Sequence, residues 1–289
     1  MVAKFVFWDV QHGNACYVRT PTDKRLVVDC GTGSYVKPAS KTFSPLGHLW
    51  HKWGVKRLDA AFITHPHTDH IADIKNLKFF KPKKVVAARH LSEDDIRDGN
   101  SSDDEEAVDE YLACLKRFPQ SVTPPTDDPL HPANAGMSIT YYRPTECGTS
   151  NLNNHSLVLI FSYAGSKVLV PGDNESPSWK ELLKQPGFVS SIKGTDILLA
   201  PHHGRQAGYS PELFEHINPR LVVISDGSYS DTSATDRYGR QARGWKVWSR
   251  TTGEGEVRKC VTTRYDDYIT VELGRNAGTN KPYIKVTVD

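Results

Sequence analysis

The chain has 289 residues, 38% of them hydrophobic and 24% charged, a globular composition that excludes a disordered, collagen-like or coiled-coil chain. Basic and acidic residues nearly cancel, 36 against 34, so any electrostatic message lies in where the charges sit. No apolar run approaches the ~18 residues of a membrane span, and the start, MVAKFVFWDV, does not read as a signal peptide.

The apolar runs are strand-sized. In chain order they are 4–10, 25–30, 58–64, 83–88, 138–142, 156–161, 167–171, 195–201 and 220–225, with two more at 268–273 and 283–288. Helical spacing lies between them. One helix is expected from Asp69 to Lys78, and another over 103–118, with acids in its first turn where the helix dipole favours them. Ser176-Pro177 reads as a helix start that Pro186-Gly187 ends, and 211–217 as a short helix. Strands group before and after about residue 145, each group with its own helices, which predicts a layered α/β arrangement with two comparable halves. Residues 92–135 look like an acidic helix flanked by loops, an insertion into one domain spanning 1–289.

Five cysteines (Cys16, Cys30, Cys114, Cys147 and Cys260), odd in number and without a CxxC, argue against a disulfide scaffold and fit a reducing cytoplasm. Charge is segregated. Ten acids and one arginine lie between Glu93 and Glu110. Five basic residues and no acid occupy 37–57, interleaved with Phe43, Trp50 and Trp53, and the same count recurs over 237–250 with Tyr238, Trp245 and Trp248. Two basic-aromatic runs favour an anionic, stackable partner such as nucleic acid or a nucleotide. Arg205, Arg237, Arg240, Arg243 and Lys246 are the candidate substrate-binding cations.

The segment that decides the chemistry is AFITHPHTDHIADI, residues 61–74. An apolar run ends at Thr64; His65, His67, Asp69 and His70 follow. His65 and His67 are two apart on an extended chain and can point the same way. Three imidazoles and a carboxylate side by side are costly to desolvate without a partner, so a nitrogen and oxygen metal site is expected. Further ligands should come from other strand ends, where His155, Asp173, His202 and His203 stand.

This series resembles the metallo-β-lactamase superfamily, and more finely the hydrolase domain of the ComEC competence proteins and their free-standing relatives. The matching stretches are DVQHGNA (9–15), VVDCG (27–31), THPHTDH (64–70), NNHSLVL (153–159), PGDNE (171–175), PHHG (201–204) and ISDG (224–227). The resemblance implies a four-layer αββα sandwich and two divalent ions, zinc or manganese. His65, His67 and His155 would hold one ion. Asp69, His70 and one of His202 or His203 would hold the other, His202 being slightly favoured as the nearer to the strand end, with Asp173 bridging. Asp29 would orient a ligand histidine from beneath. The chain departs from the ComEC pattern at Gln11-His12-Gly13-Asn14, where GQGD is usual, and at Arg205, where a serine is usual.

The expected activity is hydrolysis by a bridging hydroxide, with Asp69 and Asp173 at the centre and His203 or His12 protonating the leaving group. The basic-aromatic runs and the resemblance both point to phosphodiesters, in DNA, RNA or small nucleotides, and to a nuclease or phosphodiesterase. A lactonase, thioesterase or phosphocholine-type esterase on the same fold is the alternative.

Overall fold

A computed structural model describes residues 1–34, 42–227 and 233–289. Lys37 and Lys41 of the first basic-aromatic run lie outside the described residues. The first half of the chain forms β1 (Val2–Phe7), β2 (Ala15–Arg19), β3 (Arg25–Cys30), β4 (Gly33–Ser34), β5 (Thr42–Phe43), β6 (Ala60–Phe62), β7 (Lys84–Val86) and β8 (Ser138–Tyr142). The second half forms β9 (Val158–Tyr163), β10 (Ser166–Val170), β11 (Ile197–Leu199), β12 (Leu221–Ile224), β13 (Trp245–Ser249), β14 (Gly255–Arg258), β15 (Cys260–Thr262), β16 (Ile269–Arg275) and β17 (Pro282–Val288).

Within the described residues these build a nine-stranded sheet, ordered β14-β13-β17-β16-β1-β2-β3-β6-β7, and a six-stranded sheet, ordered β15-β12-β11-β10-β9-β8. The expected grouping of strands by halves is therefore corrected. The C-terminal strands β16 and β17 return to the first sheet, where β16 pairs antiparallel with β1. Among the described residues, six strands are absent from the sequence reading: β4 and β5, which form a small separate sheet, and β2, β13, β14 and β15; β13 pairs with the nearby β14 and, parallel, with the distant β17.

The period of two in the strands builds the layers. Phe5, Phe7, Val18, Leu26, Val28 and Phe62 face Leu159, Phe161, Val168, Val170, Leu199 and Val223 in one core between the sheets. Phe5 and Phe161 meet edge to face across it, ring centres 5.3 Å apart. The alternate residues of the first sheet, such as Val6, Val27 and Ile63, face outward onto helices that include Pro45–His51 and Glu105–Arg117. Those of the second, such as Ile160, Leu169, Leu198 and Val222, face Ser176–Leu182, Pro186–Ile192 and Thr235–Gln241. The result is an αββα sandwich. Each fully buried Phe or Leu contributes about 1.5–3 kcal/mol.

Helices deviate locally from the sequence reading. The segment 68–80 is broken into Thr68–Ile71, a 3₁₀ turn at Ile74–Asn76 and Leu77–Phe80. Pro186 begins a helix rather than ending one, because proline is tolerated in a first turn. The acidic segment contributes Ile96, Val108, Tyr111 and Cys114 to the outer layer. Among the described residues no helix is long and apolar enough to cross a membrane. What matters for function is direction: β3 and β6 run parallel in one sheet, β10, β11 and β12 in the other, and their C-terminal ends meet at one edge.

Candidate metal centre

The strand β6 delivers Thr64 and His65 directly into this edge, and the short helix Thr68–Ile71 turns Asp69 and His70 back over it. Two loops must come very close for that turn to fit. The carbonyl oxygen of Asp69 lies 2.5 Å and 2.2 Å from where a Cβ on Gly13 and on Gly31 would stand, so any side chain there would displace Asp69. Asn14 N–H donates to the same carbonyl at 3.1 Å.

Two groups of potential ligands result, and Asp69 belongs to both. The donor atoms of Asp69, His70, Asp173 and His203 lie within 4.8 Å of one another, as do those of His65, His67 and Asp69. His203 Nε2 is 3.2 Å from Asp69 Oδ2 and 3.1 Å from Asp173 Oδ2. His70 Nε2 is 3.3 Å from Asp173 Oδ1 and 3.3 Å from His203 Nε2.

The far side of each ring decides which nitrogen offers a lone pair. His70 Nδ1 lies 2.9 Å from the buried carboxylate of Asp29, which also accepts from Thr64 N–H, Thr64 Oγ1 and Asn14 Nδ2. His203 Nδ1 donates to the Ser225 carbonyl at 3.2 Å. Both Nε2 atoms therefore face inward. His65 Nδ1 is 3.2 Å from Thr64 Oγ1, whose proton is committed to Asp29, and His65 Nε2 meets His67 Nδ1 at 3.0 Å. Nitrogen lone pairs converging with two carboxylates in a buried pocket call for a cation, so this donor set fits divalent metal ions.

The electrostatics agree. Burial works against ionising Asp173, but His203 and His70 outweigh it and hold its carboxyl well below the usual range. Burial also opposes charge on His203, and Asp173 with Asp69 overcomes it, raising the imidazole to about 9. His65, with burial and His70 acting together, is pushed well down. Protons and a metal ion compete for these lone pairs, so metal affinity here falls with falling pH.

Three expectations are corrected by the geometry. His203, not His202, joins the carboxylates. His202, His203 and Gly204 all adopt left-handed backbone (φ 49°, 51° and 70°), a turn that swings the second histidine inward. His202 Nε2 stays 4.0 Å from Asp173, and its Nδ1 lies 3.1 Å from Glu175 Oε1. His155 does not reach His65 and His67. It bonds His90 Nε2 at 3.0 Å and the Gly148 carbonyl at 3.2 Å. It ends a 3₁₀ turn, Leu152–His155, whose three residues per turn point residues 153 and 155 in different directions, and it is Asn153 that lies against His67. Sequence reading missed Asn153, since nothing in an Asn-Asn-His run marks which side chain turns inward.

The third correction concerns the basic surface. Arg205 and His12 sit at the rim, Arg205 Nη2 donating to His12 Nδ1 at 3.2 Å. That bond leaves the proton on His12 Nε2, 3.4 Å from Asp69 Oδ2. Burial, His203 and Arg205 push the His12 imidazole down to about 4, so it is a neutral hydrogen-bond donor at neutral pH. Arg237 lies flat on Tyr209, 3.8 Å from the ring centre, and bonds Gln206 near this rim; Arg240 follows on the same helix. Arg243 instead binds the Asn218 carbonyl and approaches Asp196, at the opposite end of the six-stranded sheet. Lys246 stacks on Trp248 within β13, near the far edge of the first sheet. The run 237–250 is thus divided by the length of a strand and cannot act as one surface. The earlier run packs Trp53 against Trp8, Tyr17 and His48, with Lys56 over Trp50, over the outer layer.

A family model of the metallo-β-lactamase superfamily matches residues 8–213, which hold every residue of both ligand groups. The chain belongs to the metallo-β-lactamase superfamily. It is a metal-dependent hydrolase of that superfamily, whose members use metal ions, typically zinc. It is 27% identical over 230 residues to ComE operon protein 3 of Bacillus subtilis (strain 168), covering 76% of this chain and 28% of the relative. It is 23% identical over 233 residues to competence protein ComA of Neisseria gonorrhoeae, covering 78% and 27%. The chain thus spans little more than a quarter of the length of these relatives. Among solved structures, the short form of human tRNase Z aligns with a TM-score of 0.43 at 13% identity over 78% of this chain and 93% of that one. Zn(2+)-bound PqqB from Methylobacterium extorquens aligns with a TM-score of 0.40 at 11% identity over 68% and 71%.

Proposed function

We propose that the chain hydrolyses phosphodiester bonds, in a polynucleotide or a small nucleotide, with two divalent ions, zinc or manganese, held at the shared edge of the two sheets. The observation that carries this reading is a guanidinium set beside the converging ligands: Arg205 is tied to His12, which in turn faces Asp69. A permanent cation at that rim suits an anionic substrate better than a neutral lactam or lactone. The similarity to competence proteins supports a nucleic-acid substrate.

His65 and His67 would hold one ion, and His70, His203 and Asp173 the other, with Asp69 bordering both. Ions bound there acidify water and offset charge developing on phosphoryl oxygens. The protein's own groups do the rest. Asp29, Thr64 and the Ser225 carbonyl hold the rings so that lone pairs face the centre. Arg205 binds a non-bridging phosphate oxygen. His12, neutral and with its proton on Nε2, donates a hydrogen bond to an oxygen of the reacting group. Arg237, fixed by Tyr209 and Gln206, takes a neighbouring phosphate, and Arg240 extends the track. A reducing cytoplasm suits the five unpaired cysteines.

The test is a substrate panel on the metal-loaded protein and on Asp173→Ala. It comprises a bis-aryl phosphodiester, single-stranded oligonucleotides, a cyclic dinucleotide, a lactone and a thioester. Phosphodiester turnover that disappears in the variant is expected. Turnover of the lactone or thioester with none of any phosphodiester would overturn the reading.

A further inference from the structure

Each inward-facing histidine needs a partner on its far side to set its tautomer. Asp29 serves His70, the Ser225 carbonyl serves His203, and Thr64 serves His65. Among the described residues, no backbone carbonyl or carboxylate bonds His67 in that role. What lies against it is the side-chain amide of Asn153, and an amide can present either an acceptor or a donor.

Glu175 decides which. Its Oε1 accepts from Asn153 Nδ2 at 3.1 Å and its Oε2 from Asn151 Nδ2 at 3.0 Å, while His202 Nδ1 lies 3.1 Å from Oε1. Asn151 is held in turn, since its Oδ1 accepts from Asn153 N–H at 3.1 Å. With the Asn153 NH₂ group turned to a carboxylate, its Oδ1 must face the other way. That oxygen is buried and has no hydrogen-bond donor of its own in the network. His67 Nδ1 faces His65, so the ring nitrogen left for Asn153 is Nε2.

We propose that Glu175 is a positioning residue for the metal centre: by taking the amide protons of Asn153 and Asn151 it turns Asn153 Oδ1 toward His67 and so directs the His67 Nδ1 lone pair into the His65–His67 site. The Asn153–Glu175 pair thereby does, from outside the ligand set, what Asp29 does for His70. The inference rests on the metal-binding reading of that site.

Glu175→Gln separates this from a general packing role. A glutamine has nearly the same shape but turns an NH₂ group toward one of the two asparagine amides that the carboxylate accepts from, so the pair is no longer held from both sides and the Asn153 amide is freed to rotate. The experiment is a calorimetric Zn²⁺ titration of the metal-stripped full chain, with melting of the stripped protein as the check on folding. Glu175→Gln is expected to weaken one of two binding steps by ~10–100-fold and leave the other in place, with little change in the melting of the stripped protein. Asn153→Ala is expected to weaken the same step, and the double variant to lose no more than either alone, because the two residues act in series. Unchanged Zn²⁺ affinity in Glu175→Gln, or additive losses in the double variant, would overturn the inference while leaving the metal reading intact. Absence of any Zn²⁺ uptake by the unaltered chain would overturn the metal reading, and this inference with it.

Discussion

The six-stranded sheet has a buried aspartate at each end, and the two are treated oppositely. Asp196, just before β11, accepts from the Lys167 N–H at 3.1 Å and from Arg220 Nε at 2.7 Å, with Arg243 at 3.8 Å. Its charge is matched by cations of its own chain. Asp173, just after β10, is 3% exposed and faces imidazole nitrogens and a second carboxylate, Asp69. No arginine or lysine approaches it among the described residues. A buried carboxylate pair without a fixed cation is unfavourable unless charge comes from outside. One end of the sheet is therefore balanced by fixed arginines, and the other only by imidazoles, whose protons a divalent ion would replace.

The sharpest way to break this contrast is to remove each aspartate. Asp173→Ala should lower metal-dependent phosphodiester hydrolysis by about 10³-fold and release metal, read by turnover and metal analysis. Next in size is the response to chelation. Ligand at 100 times its dissociation constant stabilises by about 2.7 kcal/mol, which for a chain of this size is about 5–10 °C in melting temperature. The unaltered protein should lose that much on metal stripping, and Asp173→Asn should lose clearly less, keeping only the share of the His65–His67 group. If Asp173→Asn still responds in full, the ion is held elsewhere. Asp196→Asn should cost about 1–2 kcal/mol, equally with and without metal, and keep both the chelator response and turnover. A metal-dependent cost there would erase the distinction between the ends.

The smallest effect concerns the cations at the two ends. Arg237→Ala should weaken binding of a single-stranded oligonucleotide and reduce the slope of log affinity against log salt by about 1. Arg243→Ala, engaged with Asn218 and Asp196, should leave the slope unchanged. Equal effects from both would mean that the strand-start end also meets substrate.

Much of the centre was legible because ligand spacing is a local property. His65, His67, Asp69 and His70 share six residues and one strand end, and backbone geometry alone brings them together. Asp173 was legible as the turn after a strong apolar run, and the layers as strand-sized apolar runs, some alternating and some continuous, as β9 and β12 are. Position relative to a strand end failed for the later histidines. At 202–204 three successive left-handed residues reverse the expected order, and their strain is repaid by contacts that form only when β10 and β12 lie alongside. At 153–155 a 3₁₀ turn separates neighbours that extended chain would have aligned. Composition failed for the basic-aromatic runs, because a stretch of fourteen residues that crosses a helix and enters a strand spreads its charges over both ends of a sheet.

By itself the sequence determined the residue types, the strand-sized apolar runs and the clustering of the first four candidate ligands, all of which depend on contacts within a few positions. Only the tertiary structure decided that His203 rather than His202 turns inward, that His155 turns to His90 and Gly148 while Asn153 lies against His67, and that Arg205 and Arg237 stand near the centre while Arg243 does not. Those outcomes depend on which strand ends meet, and that is set by two sheets packing face to face over residues far apart in the chain.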